Sequence, residues 1–357
     1  MIFTVIENFV FFGATFALAA YVAASLLRVG IRKNLLEISP FALTRIFAGL
    51  ILLPPVFALW LVLAALLPET WLGAEVFKAA HVAPAHEWHL LTDLTAPFEP
   101  FLAYATVLFL ACVSFFIVWK SVRGYFRIGN IVRFLEIEAS APAPEKIALV
   151  ENIAERRALK VGLVMSEQPL TFVWGFWQSK LVLSSGLLNT LNDAELKGVI
   201  EHEAAHHIRR DNLVKLFLSA ASYLSPVFPL TRRILSWQSE QIELVCDEIA
   251  AAATKEPLEI ASALVKVRRK SPAFEANLSL TSGFMSEETS SIEPRVKRLL
   301  QLADASPLDE QGAKLTHKPF FEIASITALF LSSLAALMFL APLIVHQTAE
   351  IVIGFIK

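Results

Sequence analysis

The sequence predicts a multi-pass α-helical membrane protein with an α+β domain inserted between its third and fourth spans. Three observations carry this. The 357 residues are 55% hydrophobic and only 18% charged, against about 25% charged in a typical soluble protein, and the mean hydropathy is +0.57. Four apolar runs reach the roughly 20 residues that a bilayer-crossing helix needs. Between the third and fourth runs the pattern changes to a few short strands followed by helices, one of which carries His202-Glu203-Ala204-Ala205-His206.

The runs are Phe9–Leu27, Phe41–Leu67, Phe101–Trp119 and Phe320–Val345. Pro54-Pro55 is expected to kink the second, and Arg45 near its start can snorkel to the interface. Residues 1–119 therefore read as three transmembrane helices with an extracytoplasmic loop at 68–100, and residues 320–357 as a fourth helix with a short outer tail. Basic residues set the orientation. Arg28, Arg32 and Lys33 follow the first span, Lys120, Arg123, Arg127 and Arg133 follow the third, and Lys314 and Lys318 precede the fourth. The outer segments carry only Lys78 and Lys357. The positive-inside rule then puts both termini outside and residues 120–319 in the cytosol of a bacterial-type cytoplasmic membrane. With no basic stretch before it, the first span reads as a retained helix.

Within 120–319, Ala139–Pro144 is a linker and Glu145–Leu159 a helix. Val161–Met165, Leu170–Trp174 and Lys180–Leu183 are short strands, and further helices follow. Asn192 before Asp193-Ala194-Glu195 forms a capping-box pattern that starts a helix running to about His207 or Arg210. Leu213–Leu230 is apolar enough to suggest another span, but contains Lys215, Pro226 and Pro229. It is read as a buried or interface-lying helix pressing the domain toward the bilayer. Ser271–Glu288 is a Ser/Thr/Glu-rich loop and Glu293–Leu302 a basic amphipathic helix.

His202 and His206 are four apart, one turn apart on one helix face, so both imidazoles can close on one ion. This is the HExxH pattern of zinc hydrolases, in which Glu203 faces the open coordination side and takes a proton from the attacking water. The competing reading is an amphipathic helix with two surface histidines. A catalytic zinc site has three protein ligands, and Glu243 is the best candidate for the third. Asp247, one turn further on, can accept the outer N–H of a ligand histidine. The plainer alternative there is a solvated acidic face, and Cys246, Glu248 and His207 are rival ligands. Cys112 and Cys246 imply no disulfide framework. A net charge of −2 without a basic-aromatic surface gives no reason to expect nucleic-acid binding. His81, His86 and His89, with Glu87 and Asp93, read as a polar outer loop rather than a defined metal site.

Trp174-Gly175-Phe176 to Leu181-Val182-Leu183-Ser184-Ser185-Gly186-Leu187-Leu188, the helix to His206, Arg210-Asp211, Glu243 to Asp247, and Pro294-Arg295-Val296-Lys297-Arg298-Leu299-Leu300 together resemble the BlaR/MecR-type membrane metallopeptidases. The resemblance implies a gluzincin-like (zincin) catalytic domain with Zn2+ on His202, His206 and Glu243 and Glu203 as general base. It implies an endopeptidase in regulated proteolysis or signal transduction. The substrate would be a cytosolic or membrane-associated protein such as a transcriptional repressor, and the enzyme itself, with Ser271–Glu288 as an exposed site. Ser179-Lys180 stands where that family often has a proline. The sequence ends at Lys357, without the penicillin-binding domain of the antibiotic-sensing members, so a separate sensor protein or a homo-oligomer is the expected partner beside the lipid bilayer. The strand at Leu181 and Val182, or that at Val173 and Trp174, is expected to pair with an extended substrate. Trp174, Phe176 and Trp177 either shape that cleft or are core or membrane-interface aromatics. Two other readings stand beside this one. One is a quality-control peptidase of the HtpX/CAAX-protease kind, and the other a non-catalytic membrane receptor scaffold with a structural zinc site.

Overall fold

A computed structural model describes residues 2–66, 144–175, 179–225, 227–270 and 292–304, with single helical positions between 108 and 123. The outer loop at 68–100, the fourth span, Phe176, Trp177 and the Ser271–Glu288 loop lie outside the described residues, as does all but single positions of the third span.

Helices α1 (Ile2–Arg32) and α2 (Pro40–Leu66) form a hairpin. Ala20 and Ala24 on α1 are small enough to bring Leu43, Phe47 and Ile51 of α2 into close contact. Within α1, Gly13–Arg32 is long and apolar enough to cross a membrane, while the apolar stretch Pro40–Val56 of α2 is shorter. The helix runs on through Pro54 and Pro55.

Helix α3 (Pro144–Arg156) leads into β1 (Lys160–Val164), β2 (Thr171–Trp174) and β3 (Lys180–Ser184). The sheet order is β1-β3-β2, with β1 parallel and β2 antiparallel to the central β3. Alternation divides the side chains. Leu181, Leu183 and Val173 face the main core with Val150, Ile153, Leu196 and Ile200, whereas Val182 packs with Val164, Phe172 and Trp174 on the other face.

A short helix, α4 (Ser185–Thr190), follows β3 directly. Gly186 is required there, because a Cβ would lie 2.2 Å from the Glu167 carbonyl oxygen. Helix α5 (Asp193–Arg209) starts as the sequence predicts. Glu195 N–H donates to Asn192 Oδ1 at 2.8 Å, and Asn192 N–H donates to Glu195 Oε2 at 2.9 Å. The other Glu195 oxygen accepts from Ser262 and Lys266 of α8 (Pro257–Lys270), each at 2.6 Å. Gly198 lets α8 lie close to α5, since Ile260 would sit 2.7 Å from a Cβ there.

The Leu213–Leu230 stretch is not one helix. It divides into α6 (Asp211–Leu224) and the start of α7 (Phe228–Thr254). The prolines explain the break: Ser225 before Pro226 is extended, and Pro229 occupies the first turn of α7, where a missing N–H costs nothing. Leu218, Ala221 and Ile234 pack against the α1–α2 hairpin. Trp237 of α7 stacks on Tyr21 with ring centres 5.8 Å apart, and Arg28 of α1 lies over Trp237 and pairs with Glu240 at 3.1 Å. Further along, Ile242 and Cys246 pack with Ala205 of α5. One helix thus touches the hairpin with its first half and α5 with its second. Helix α9 (Ile292–Asp304) closes this side, with Leu299 buried against Ala250, Ala251 and Ile260.

Candidate metal centre

His202 and His206 lie inside α5, one turn apart, with ring centres 4.9 Å apart. Glu243 reaches them from the middle of α7. Its Oε2 is 3.4 Å from His202 Nε2 and its Oε1 is 3.6 Å from His206 Nε2, and the three ligand atoms lie within 4.8 Å of one another. Two ligands each about 2.0–2.1 Å from a tetrahedral zinc stand about 3.4 Å apart, so the spacing fits that ion.

Each histidine is backed by a carboxylate. His202 Nδ1 stands 2.8 Å from Asp247 Oδ1, in ion-pair rather than linear hydrogen-bond geometry. His206 Nδ1 stands 2.9 Å from Asp211 Oδ2. In the neutral ring such a partner fixes the proton on Nδ1 and turns the Nε2 lone pair to the shared centre. Asp211 reaches His206 because Arg210 adopts a left-handed conformation (φ 54, ψ 40), which ends α5 and turns the chain back into α6. Arg295 of α9 donates from Nε and Nη2 to Asp247, both at 2.7 Å, and its Nη1 lies 3.3 Å from Glu243 Oε2.

Of the rival ligands, Glu248 is held by Arg298 at 2.7 Å. Cys246 Sγ lies 3.4 Å from His206 Nδ1 and 3.6 Å from Asp211, on the side of the ring turned away from Glu243. His206, Asp211 and Cys246 also form a compact group. The 2.9 Å contact inside it is a hydrogen-bond distance, shorter than the about 3.4 Å between two ligands of a tetrahedral zinc. His207 belongs to neither group.

Burial opposes charge throughout this cluster, and the partners reverse it. Asp247 and Glu243 hold His202 above its usual range despite burial. Burial likewise opposes a charged His206, but Cys246, Glu243 and Asp211 raise it well above that range. The Cys246 thiol is itself pushed up by burial, so the two carboxylates carry the effect. Against burial, His206, His202 and Arg295 hold Glu243 well below the usual carboxylate range. Arg295 and His202 depress Asp247, and His206, Arg209 and Lys215 depress Asp211.

A cavity of about 300 Å³ opens on this cluster, lined among others by His202, Glu203, His206, Glu243, Lys215 and residues 169–173. The residues expected to pair with substrate divide. Leu181 and Val182 lie in the central strand, 0% and 1% exposed, with β1 and β2 on either side, so they offer no edge. That expectation is corrected: β2 is the outer strand beside the cavity. Trp174 packs on the far face of the sheet with Val182. The structure also adds Asp211, Asn212 and Arg295, to which the sequence pattern assigned no role.

The site has the residue arrangement of an HExxH metal centre. Residues 145–304 match the model of peptidase family M48, a family of zinc metallopeptidases. Similar proteins include the protease HtpX homolog of Thermococcus kodakarensis, 35% identical over 120 residues, which are 32% of this chain and 40% of that protein. The homolog from Ralstonia nicotianae is 32% identical over 113 residues, 30% of this chain and 38% of that protein. The chain therefore spans less than half the length of the curated relatives it matches. The crystal structure of S. mikatae Ste24p aligns with 82% of this chain and 98% of its own at 12% identity, with a TM-score of 0.33. These relatives bear the HtpX name and not that of the BlaR/MecR type, so the likeness stands at the level of HtpX-like M48 membrane metallopeptidases.

Proposed function

We propose that this chain is a membrane-anchored, zinc-dependent endopeptidase. The observation that carries the reading is the convergence of His202 Nε2, His206 Nε2 and Glu243 on one point beside Glu203, in a cavity bordered by an outer strand. Zinc held by these three residues would supply Lewis acidity and a water of lowered pKa. Glu203 takes the proton from the attacking water and returns it to the leaving amine. Asp247 and Asp211 keep the histidine rings in the tautomer that leaves Nε2 available. Strand β2 aligns an extended polypeptide by main-chain pairing.

The α1–α2 hairpin anchors the domain, and the distribution of basic residues favours a cytosolic catalytic side. The substrate is then a cytosolic or membrane-associated protein. Regulated proteolysis of a signalling protein, such as a repressor, and of the chain itself is the reading favoured by the sequence motifs. The HtpX names of the relatives fit, with equal weight, the quality-control peptidase reading.

Glu203→Gln tests the reading. Purified full-length variant is expected to keep its zinc and lose peptide-bond cleavage by about 10²–10⁴-fold. Cleavage that persists with zinc bound would remove Glu203 from the reaction, whereas a wild type that binds zinc and cleaves nothing would leave only a receptor scaffold with a structural ion. Comparing protein N-termini in cells carrying wild type or variant separates the two peptidase readings. A few defined sites support regulated proteolysis, and many sites scattered over membrane proteins support quality control.

A further inference from the structure

The dipeptide Asp211-Asn212 faces two parts of the site at once. Asp211 holds His206, while Asn212 Nδ2 donates to the carbonyls of Val173 at 2.9 Å and Gly175 at 3.3 Å. Both acceptors belong to β2 or its exit. The pairing pattern says which edge they occupy. Ser184 N–H donates to the Leu170 carbonyl at 3.0 Å, so Leu170 turns its main chain toward β3. In an antiparallel ladder the direction alternates. Phe172, opposite Val182, therefore also faces β3, and Thr171 and Val173 turn their N–H and C=O groups to the outer edge. That edge borders the cavity that holds His202, Glu203 and His206. With the Val173 carbonyl taken by Asn212, the outward groups that remain on β2 among the described residues are the N–H and C=O of Thr171 and the N–H of Val173. Among the described residues the buried Thr171 hydroxyl also has no hydrogen-bond partner, and such a group gains from a polar ligand.

We propose that Asn212 is a positioning and specificity-determining residue, which closes the outer edge of β2 at Val173 and so sets the register of a bound polypeptide against the metal centre. This rests on the peptidase reading. The occupant is an extended, unstructured stretch of protein that adds one short strand. It pairs with Thr171 and with the Val173 N–H, and cannot continue the ladder past the blocked carbonyl. Because Asp211 is the next residue, the stop on the strand and the support of His206 move as one piece, and the distance from paired backbone to metal is fixed by a single turn of chain.

The test uses the full-length protein in detergent with β-casein as the probe. Asn212→Ala and Asn212→Asp are compared, the second keeping the size but lacking both N–H donors. Both free the Val173 carbonyl for one more main-chain bond and are expected to lower KM about tenfold with kcat and zinc content nearly unchanged. Both should also add product termini displaced by two residues, since a slip of two keeps every side chain on its face. An unchanged KM and an unchanged set of termini would overturn the proposal. Independently of turnover, hydrogen exchange on the Glu203→Gln protein should find the Thr171 and Val173 amides protected when casein binds. Unprotected amides would overturn the proposal even if casein is cut. Protection without any Glu203-dependent cleavage in the wild type would instead sink the peptidase reading and leave the binding edge standing.

Discussion

Arg295 holds Asp247 with a two-pronged grip, its Nε and Nη2 each 2.7 Å from a different carboxylate oxygen. Asp247 is fully buried and in turn supports His202. Lysine offers one point charge and cannot reproduce the fork. Arg295→Lys is expected to lower zinc affinity about tenfold, read by competition with a chelator. Arg295→Ala leaves a buried carboxylate uncompensated and should cost about 3–5 kcal/mol in denaturant unfolding.

Asp211 does for His206 what Asp247 does for His202. Asp211→Asn keeps the shape but can present an N–H to the ring nitrogen and favour the wrong tautomer. Zinc affinity is expected to fall about 10–100-fold, in contrast to Glu203→Gln, which should keep its metal. Zinc retained at wild-type affinity in Asp211→Asn would exclude this supporting role.

The histidine pKa directions set the pH dependence of metal binding. Both are raised above 6.5 in the metal-free site, so both tend to carry a proton that zinc must displace. Affinity should fall by up to about a hundredfold per pH unit in the acid range, and calorimetry in buffers of different ionisation enthalpy should find protons released. Without metal the sign reverses. The protonated histidines stabilise the fold fully below 6.5, and this contribution is lost as pH rises through their folded values.

Glu195 gives an acid limit. Burial opposes its charge, but Lys266, Ser262 and the Asn192 backbone hold its pKa below the ordinary 4.5. A depressed carboxylate contributes stability that is present above that value and lost as pH falls through the folded one. Unfolding followed from pH 6 downward should steepen below about 4.5. Glu195→Gln should flatten that part of the curve at a cost of about 1 kcal/mol at neutral pH.

The short-range features were legible because they repeat with the helix or the strand. The capping box at Asn192 and Glu195, the pair His202 and His206, and the pair Glu243 and Asp247 all obey helical spacing, and the three strands are short runs of β-rich composition. What escaped depends on breaks and distance. Asp211 lies five residues after His206, outside helical spacing, and returns only because Arg210 is left-handed. Arg295 lies 48 residues after Asp247, and a basic helix does not name its acidic partner. Strand order is also silent in a local pattern. Leu181 to Ser184 reads equally well as an outer or a central strand, and the parallel pairing of β1 decides the matter.

Helix α7 places Glu240, which grips Arg28 of the hairpin, three positions before Glu243, which faces the two histidines. Less than one helical turn separates the two attachments, a rise of about 4.5 Å with no hinge between them. There is no slack in such a short lever. Whatever tilts the α1–α2 pair therefore acts on the same stretch of helix that carries Glu243, which couples the position of the hairpin to the geometry of the metal centre.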